Sequence, residues 1–319
     1  MTQSQSSFPQ RLLLLWRDQR VREWGLQLLV LGIVLLVFSV LGTNLWRNFQ
    51  TLGLNFGFDF LLDPDRPASF NIGDRLIAYE RTDPIFRALL VGLLNSLRVL
   101  VFGIVLATIL GITVGIARLS PNWLLTQIAA VYVGIFRNTP LLLQLFFWYR
   151  AVFLQLPPAA QAIAVGNWLT LSNQGLVFTL GGWQGTVSPE FATLLTGLTV
   201  YTAAFIAEVV RGGIQSVDPG QWEAAQALGF NRLGLLRLVI FPQALRVMIP
   251  SLTSEYLNLA KNSSLAIAIG YSDVYAITNT VANLTGRAVE MLLVVMGTYL
   301  ILNLVIAWGM NRLNHGLAY

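Results

Sequence analysis

Side chains able to do chemistry are sparse in this sequence and fall into short clusters. One comprises Ser251, Ser254, Glu255, Asn258, Lys261, Asn262 and Ser264, recurring at three- and four-residue steps. On a helix those steps share one face. Hydroxyls, amides, one carboxylate and one ammonium in a row offer both signs of charge to a polar or zwitterionic solute. The same row also suits packing against a partner helix, with Glu255 and Arg246 at an interface. A second cluster holds Arg137, Thr139 and Gln144, and a third pairs Glu208 with Arg211 one helical turn later. An intrahelical ion pair is the preferred reading of the third. Arg137 reads either as part of a gate or as an interfacial anchor, and Thr139-Pro140 as the cap and start of a helix.

What is missing narrows the chemistry. The chain has no cysteine, so disulfides, thiolate metal sites and cysteine nucleophiles are excluded. The single histidine, His315, excludes a Ser-His-Asp triad within a membrane domain and any multi-histidine metal site. The single lysine, Lys261, follows Ala260, so the Gly-Lys-Ser/Thr of a phosphate-binding loop cannot be formed. No catalytic residue and no cofactor are assigned to this chain, and an ATP-driven process needs ATP and Mg on a partner. No pair of carboxylates falls clearly within one apolar segment, which ranks a membrane-embedded enzyme last.

The elements that carry these groups are membrane helices. Of the 319 residues, 55% are hydrophobic and 11% charged, where a soluble domain carries roughly a quarter charged. Six segments reach the ~20 apolar residues that a bilayer crossing needs. They run from about Trp24 to Leu45, Leu94 to Ile116, Ile128 to Leu154, Phe191 to Val210, Leu245 to Ile269 and Met291 to Met310. The runs are continuous rather than alternating, which argues for helices and against a barrel. Gly111 and Gly115 allow close approach of the second helix to a neighbour, for packing. The stretch from Ala159 to Leu180 is apolar but interrupted by Asn167, Asn173, Gln174 and Gly175, and reads as an extracytoplasmic segment near the interface. The net charge of +5 comes from arginines beside apolar runs, so it reports orientation rather than nucleic-acid binding.

Arg11, Arg17, Arg20 and Arg22 precede the first segment, which puts the N-terminus inside. That first apolar run is too long for a signal-peptide core and reads as a retained span. The domain plan is a cytoplasmic tail at 1–23, a first span at 24–46, a periplasmic loop at 47–85, a core at 86–312 and a cytoplasmic tail at 313–319. The loop 47–85 is less regular in charge, since it carries arginines as well as acids. Arg98, one turn inside the second span, is expected to snorkel outward, and Asp273 to cap a short outer helix.

The stretch from Val217 to Pro242 is the most patterned. Asp218 suits an N-cap, Pro219 the first helical position, and Gln221 a capping box. Gly229 suits a left-handed stop. Asn231 can cap a second helix that Pro242 ends. A rigid unit of this kind either docks in a partner's groove or serves as an amphipathic linker.

Here a resemblance becomes specific. Glu223-Ala224-Ala225, then Gly229, then Val239-x-Phe241-Pro242 is similar to the E-A-A, G, I-x-L-P loop of ABC importer permeases. Phe136-Arg137-Asn138-Thr139-Pro140 through Leu145, Glu208 to Ile214 with its Arg-Gly-Gly, and Lys261-Asn262-Ser263-Ser264-Leu265 resemble further elements of the polar amino-acid branch, in the family's order. The resemblance covers about residues 86–315 and is nearest to the general or neutral L-amino-acid permeases. It implies an all-α, MetI-like membrane fold in the bacterial inner membrane. It also implies a coupling loop at 212–243, in which Gln221, Glu223, Ala224, Ala225, Ala227 and Gly229 meet an ATP-binding subunit. Two ATP-binding subunits, a second permease (the same chain or a paralogue) and a periplasmic amino-acid-binding protein are the implied partners, besides lipid. Glu255, Asn258, Lys261, Asn262, Ser263 and Ser264 are candidates for the translocation path. The alternative is an ion-coupled secondary amino-acid transporter, although no internal repeat of the kind common there is visible.

Overall fold

A computed structural model describes residues 19–51 and 56–316. It divides into two units, 1–58 and 59–319, each described on its own. In the first, α1 (Gln19–Thr51) is one continuous helix with an apolar surface exposed all round. It runs past Trp46 and takes in Arg47, so the helix outlasts the span read from the sequence. At ~1.5 Å per residue its 33 residues exceed the ~30 Å hydrocarbon core. The N-terminal tail up to residue 18 lies outside the described residues.

The second unit is built on α2 (Ile85–Ala117) and α5 (Pro189–Gln215), its most extensive helix pair. Small residues make this pairing possible. A Cβ at Gly111 would lie 2.5 Å from Ile206 Cγ2, and one at Gly115 2.7 Å from Val210 Cβ. The Gly111–Gly115 pair therefore does what packing predicts. α2 begins nine residues before Leu94 because Pro84 stands at its N-cap and Ile85, Ala88, Leu89 and Val91 pack inward.

Between them lies a corner. α3 (Trp123–Asn138), capped by Asn122, and α4 (Leu141–Phe147) meet at 106°. α4 continues through a π turn (Trp148–Val152) and a 3-10 turn (Phe153–Gln155). The third segment is therefore not a straight span, and Thr139-Pro140 interrupts it rather than starting it. Proline forces the residue before it out of helical geometry. Among the described residues, five helices are long and apolar enough to cross a membrane, or six if the bent pair is one crossing.

The stretch after the corner is not helical. β1 (Ile163–Val165), β2 (Leu169–Ser172), β3 (Gly175–Leu180) and β4 (Trp183–Val187) form an antiparallel meander in that order. Gly181 and Gly182, at φ +56° and +88°, make the two-residue turn between β3 and β4. An open sheet edge has unpaired backbone groups that hydrocarbon cannot satisfy, so the meander belongs to the aqueous side.

α6 (Pro219–Ala227), α7 (Arg232–Leu235), a π turn (Leu236–Ile240) and α8 (Phe241–Asn262) follow. Pro242 does not end a helix; it sits in the first turn of α8, where a missing N–H costs nothing. A 3-10 turn (Ser263–Ile269) closes on Gly270 at φ +79°. Then come α9 (Val274–Thr285) and α10 (Ala288–Gly316). The outer segment 59–84 packs Phe60, Ala68, Ile72 and Tyr79 against α2, α9 and α10, and so caps the bundle rather than looping free.

Candidate functional site

The end of the second unit that the arginine pattern assigns to the inside is a capped elbow. Asp218 Oδ1 accepts from Gly220 N at 2.6 Å, and Asn231 Oδ1 from Gly234 N at 2.7 Å, so α6 and α7 each begin on a side-chain cap. Gly229 stands between them at φ +79°, the left-handed stop that glycine takes without a Cβ penalty. Gln221 does not complete a capping box. Its Oε1 accepts from Gln243 Nε2 at 3.2 Å, which ties α6 to the start of α8.

Only part of the elbow is free. Ala225 is 3% exposed and packs with Val217, Leu235, Ile240 and the inner ends of α5 and α8, with Trp222 beside it. Ala225 therefore packs into the chain's own core. Gln221, Glu223, Ala224 and Ala227 are exposed, and Leu228 is 78% exposed. Leu233 is 75% exposed. Sequence reading missed these two leucines. An apolar residue beside the glycine stop, outside any buried stripe, was the available signal.

Glu208 is more than an intrahelical partner. It accepts from Arg211 Nε at 2.9 Å, contacts Arg118 at the end of α2, and lies 3.9 Å from Arg137 of α3. Arg211 also donates to Gln215 Oε1 at 2.6 Å. The Arg137 guanidinium sits 5.1 Å from the Phe205 ring and interacts electrostatically with Glu255 of α8. One carboxylate thus joins α2, α3 and α5, and Arg137 extends the node to α8. Thr139 and Gln144 stand elsewhere. Thr139 Oγ1 donates to the Ile135 carbonyl at 2.8 Å, and Gln144 Nε2 to the carbonyls of Phe136 and Thr139, both at 2.9 Å. These bonds satisfy backbone oxygens that the corner leaves without helical partners. Gln144 is buried and supports the corner.

The polar row of α8 is largely real. Ser251, Ser254, Asn258 and Lys261 are exposed, and Glu255 and Asn262 are half-buried. The opposite face carries Leu252, Tyr256, Leu259 and Ala260 into the core. Tyr256 shares a 2.7 Å hydrogen bond with Thr108 of α2. Two further path candidates bond locally. Ser263 is buried, its hydroxyl donating to the Ala260 carbonyl at 2.8 Å, and Ser264 donates to the Lys261 carbonyl at 2.8 Å. Such local bonds compete with the helix, and here they accompany its change to a 3-10 turn. An exposed polar face at membrane depth must meet protein or water, because lipid exposure is costly.

A third node, at the outer end, is built from groups the sequence did not bring together. Arg98 does not snorkel. It stacks 3.9 Å from the Phe191 ring centroid, donates to Tyr271 Oη at 3.1 Å and lies 3.5 Å from Asp74. Asp74 also accepts from the Ser188 hydroxyl at the N-cap of α5. Asn95 Nδ2 reaches the carbonyls of Asp74 and Ser272 at 2.8 and 2.9 Å. Asp273 caps α9, accepting from Ala276 N at 2.7 Å and Tyr299 Oη at 3.2 Å. Burial raises its carboxyl to about 7, against the lowering effect of those hydrogen bonds.

This arrangement agrees with what the chain is similar to. The family described as the binding-protein-dependent transport system inner membrane component matches residues 87–319. The chain is 37% identical to the general L-amino acid transport system permease protein AapQ of Rhizobium johnstonii, over 91% of each chain. It is 34% identical to the glutamate/glutamine/aspartate/asparagine transport system permease protein BztB of Rhodobacter capsulatus, over 95% of each. A crystal structure of an amino acid ABC transporter with histidines superposes with a TM-score of 0.56 at 23% identity, covering 72% of this chain and 94% of that one. The methionine transporter MetNI, in an inward-facing conformation, gives 0.54 at 19%, covering 73% and 97%. These structures share the fold. With its apolar helices, inner elbow and matched length, the chain belongs to the inner membrane component family of binding-protein-dependent transport systems.

Proposed function

We propose that this chain is the permease subunit of an ATP-driven importer of polar or neutral L-amino acids. The observation that carries the reading is the elbow. Its Ala225 side is locked into the inner ends of α5 and α8, and its Glu223, Ala224, Ala227 and Leu228 side is open. A partner that grips the open side moves those helices with it. An ATP-binding subunit, holding ATP and Mg, is the partner the family supplies, in two copies. Its closure biases two packings of the bundle by differential binding. A second permease chain, the same or a paralogue, covers the exposed polar face of α8 and completes a path past Asn258 and Lys261. A periplasmic binding protein delivers the amino acid to the outer end. Both termini lie on the cytoplasmic side. The relatives' names, general L-amino acid and glutamate/glutamine/aspartate/asparagine systems, support the substrate class. They give no support to the ion-coupled alternative.

Co-reconstitution with the ATP-binding subunit and binding protein tests the reading. Uptake of radiolabelled L-amino acids should require ATP. Because the chain lacks cysteine, Ala227→Cys gives a unique crosslinking handle and should capture the ATP-binding subunit. Uptake that follows an ion gradient without that subunit would falsify the proposal.

A further inference from the structure

One cavity lies apart from both the elbow and the α8 face. It opens at the outer end, between segment 59–84, the β-meander, the start of α5 and the turn before α9, with a volume of about 700 Å³. Small-molecule sites span roughly 300–1,000 Å³ and are mostly apolar. This one has no large aliphatic side chain in its lining, so a polar guest fits it better than an apolar one.

Most of the wall is already satisfied. Asp74 is held by Arg98 and Ser188, and the Tyr271 hydroxyl by Arg98 and Asn95. Two charges of opposite sign are not. Arg75 donates to the Tyr79 carbonyl at 2.6 Å and, among the described residues, has no carboxylate partner. Glu190 accepts from Tyr149 Oη at 2.8 Å through Oε1 and has no cationic partner among the described residues. The α5 dipole favours the charge on Glu190 but gives Arg75 no anion. Glu190 is half-buried and gains from a counter-charge, and Arg75 stands exposed on the cavity wall, where it can meet a carboxylate. A small zwitterion carries both of the missing ones.

We infer that this cavity is an admission site for a free zwitterionic amino acid, with Glu190 taking the ammonium and Arg75 the carboxylate. The inference rests on the amino-acid import reading and adds a stop within a single permease chain, before the shared path.

The test uses the intact importer in nanodiscs, without nucleotide or binding protein. It is incubated with a mixture of the proteinogenic L-amino acids, filtered rapidly, and read by mass spectrometry. Wild type should retain at least one of them. Glu190→Gln and Arg75→Gln should each weaken retention about tenfold, the scale of one lost charge-assisted hydrogen bond, and Arg75→Lys should recover part of it. The chemistry of the loss should be specific. N-acetylated amino acids should compete poorly with wild type and no worse than free ones with Glu190→Gln, and carboxamides should behave likewise with Arg75→Gln. Gel filtration and basal ATPase activity verify that each variant is assembled. Wild type that drives ATP-dependent uptake yet retains nothing overturns the inference and leaves the import reading standing. Retention lost in Lys261→Ala but unchanged in Arg75→Gln and Glu190→Gln also overturns it, because the ligand then sits on α8. Failure of every amino acid to be taken up at all defeats the import reading first.

Discussion

Replacing Gly229 with asparagine, alanine and valine should degrade coupling in that order. At φ +79° the residue is in the left-handed region, and a Cβ built there meets nothing within 4 Å. The cost is therefore conformational and contains no clash. It is about 1–2 kcal/mol for alanine, less for asparagine, which tolerates this region, and more for a β-branched side chain. A penalty of that size shifts the local equilibrium by roughly 5- to 30-fold against the native turn. Because the turn is exposed and the core clusters lie elsewhere, membrane insertion and thermal stability of the bundle should change little. The assay is ATP-driven uptake per ATP hydrolysed in proteoliposomes of defined subunit composition. Uptake should fall from glycine to asparagine to alanine to valine while insertion holds. Equal activity for asparagine and valine, or wild-type coupling in valine, would refute the backbone argument.

Other outcomes follow from the packing and charges. Gly115→Leu should lower the melting temperature, since a Cβ there would lie 2.8 Å from the Ala207 carbonyl and overpacking costs about 1–3 kcal/mol. Glu208→Gln removes the carboxylate that Arg118, Arg137 and Arg211 share; stability should drop at low salt and recover in part at high salt, where repulsion is screened. Lys261→Ala should reduce uptake more than complex assembly, as judged by transport rates against gel-filtration yield. Asp273 holds its proton better when folded, its carboxyl standing at about 7 against 3.8. Its contribution is complete below the lower value and fades as pH rises through the upper one. Asp273→Asn should therefore flatten the fall in melting temperature between about pH 4 and 7.

Periodic and capped features were legible in the sequence; contacts distant along the chain were not. The apolar runs, the Gly229 stop, the Asp218, Asn231 and Asp273 caps and the α8 polar face all depend on neighbours within a few residues, so local spacing reveals them. Arg98 shows the other side. Its polar neighbours Asn95 and Ser96 signal a buried site, but its partners Asp74, Phe191 and Tyr271 come from three other segments. Ala225 and Ser263 are buried among more exposed neighbours, because face matters at single-residue resolution and motif spacing alone does not fix it. The meander lies hidden in an apolar run whose length resembles a membrane segment, and Gly181-Gly182, a two-residue hairpin signal, is its local mark. Gln144 looked like a gate residue because its motif is polar, yet its amide closes backbone bonds at the corner.

The π turn at Leu236–Ile240 sets the angular register between the elbow and α8. It holds one residue more per turn than an α-helix would. Deleting a single residue there would let the backbone relax into an ordinary spiral with the elbow's bearing kept, because the wide turn already absorbs the surplus residue. Deleting one from the regular helix of α8 has no such slack and would swing everything upstream by about 100° around its axis. Leu228 and Glu223 would then face a different compass bearing. The bulge works like a take-up loop in a cable: it stores spare length so that the handle keeps its direction.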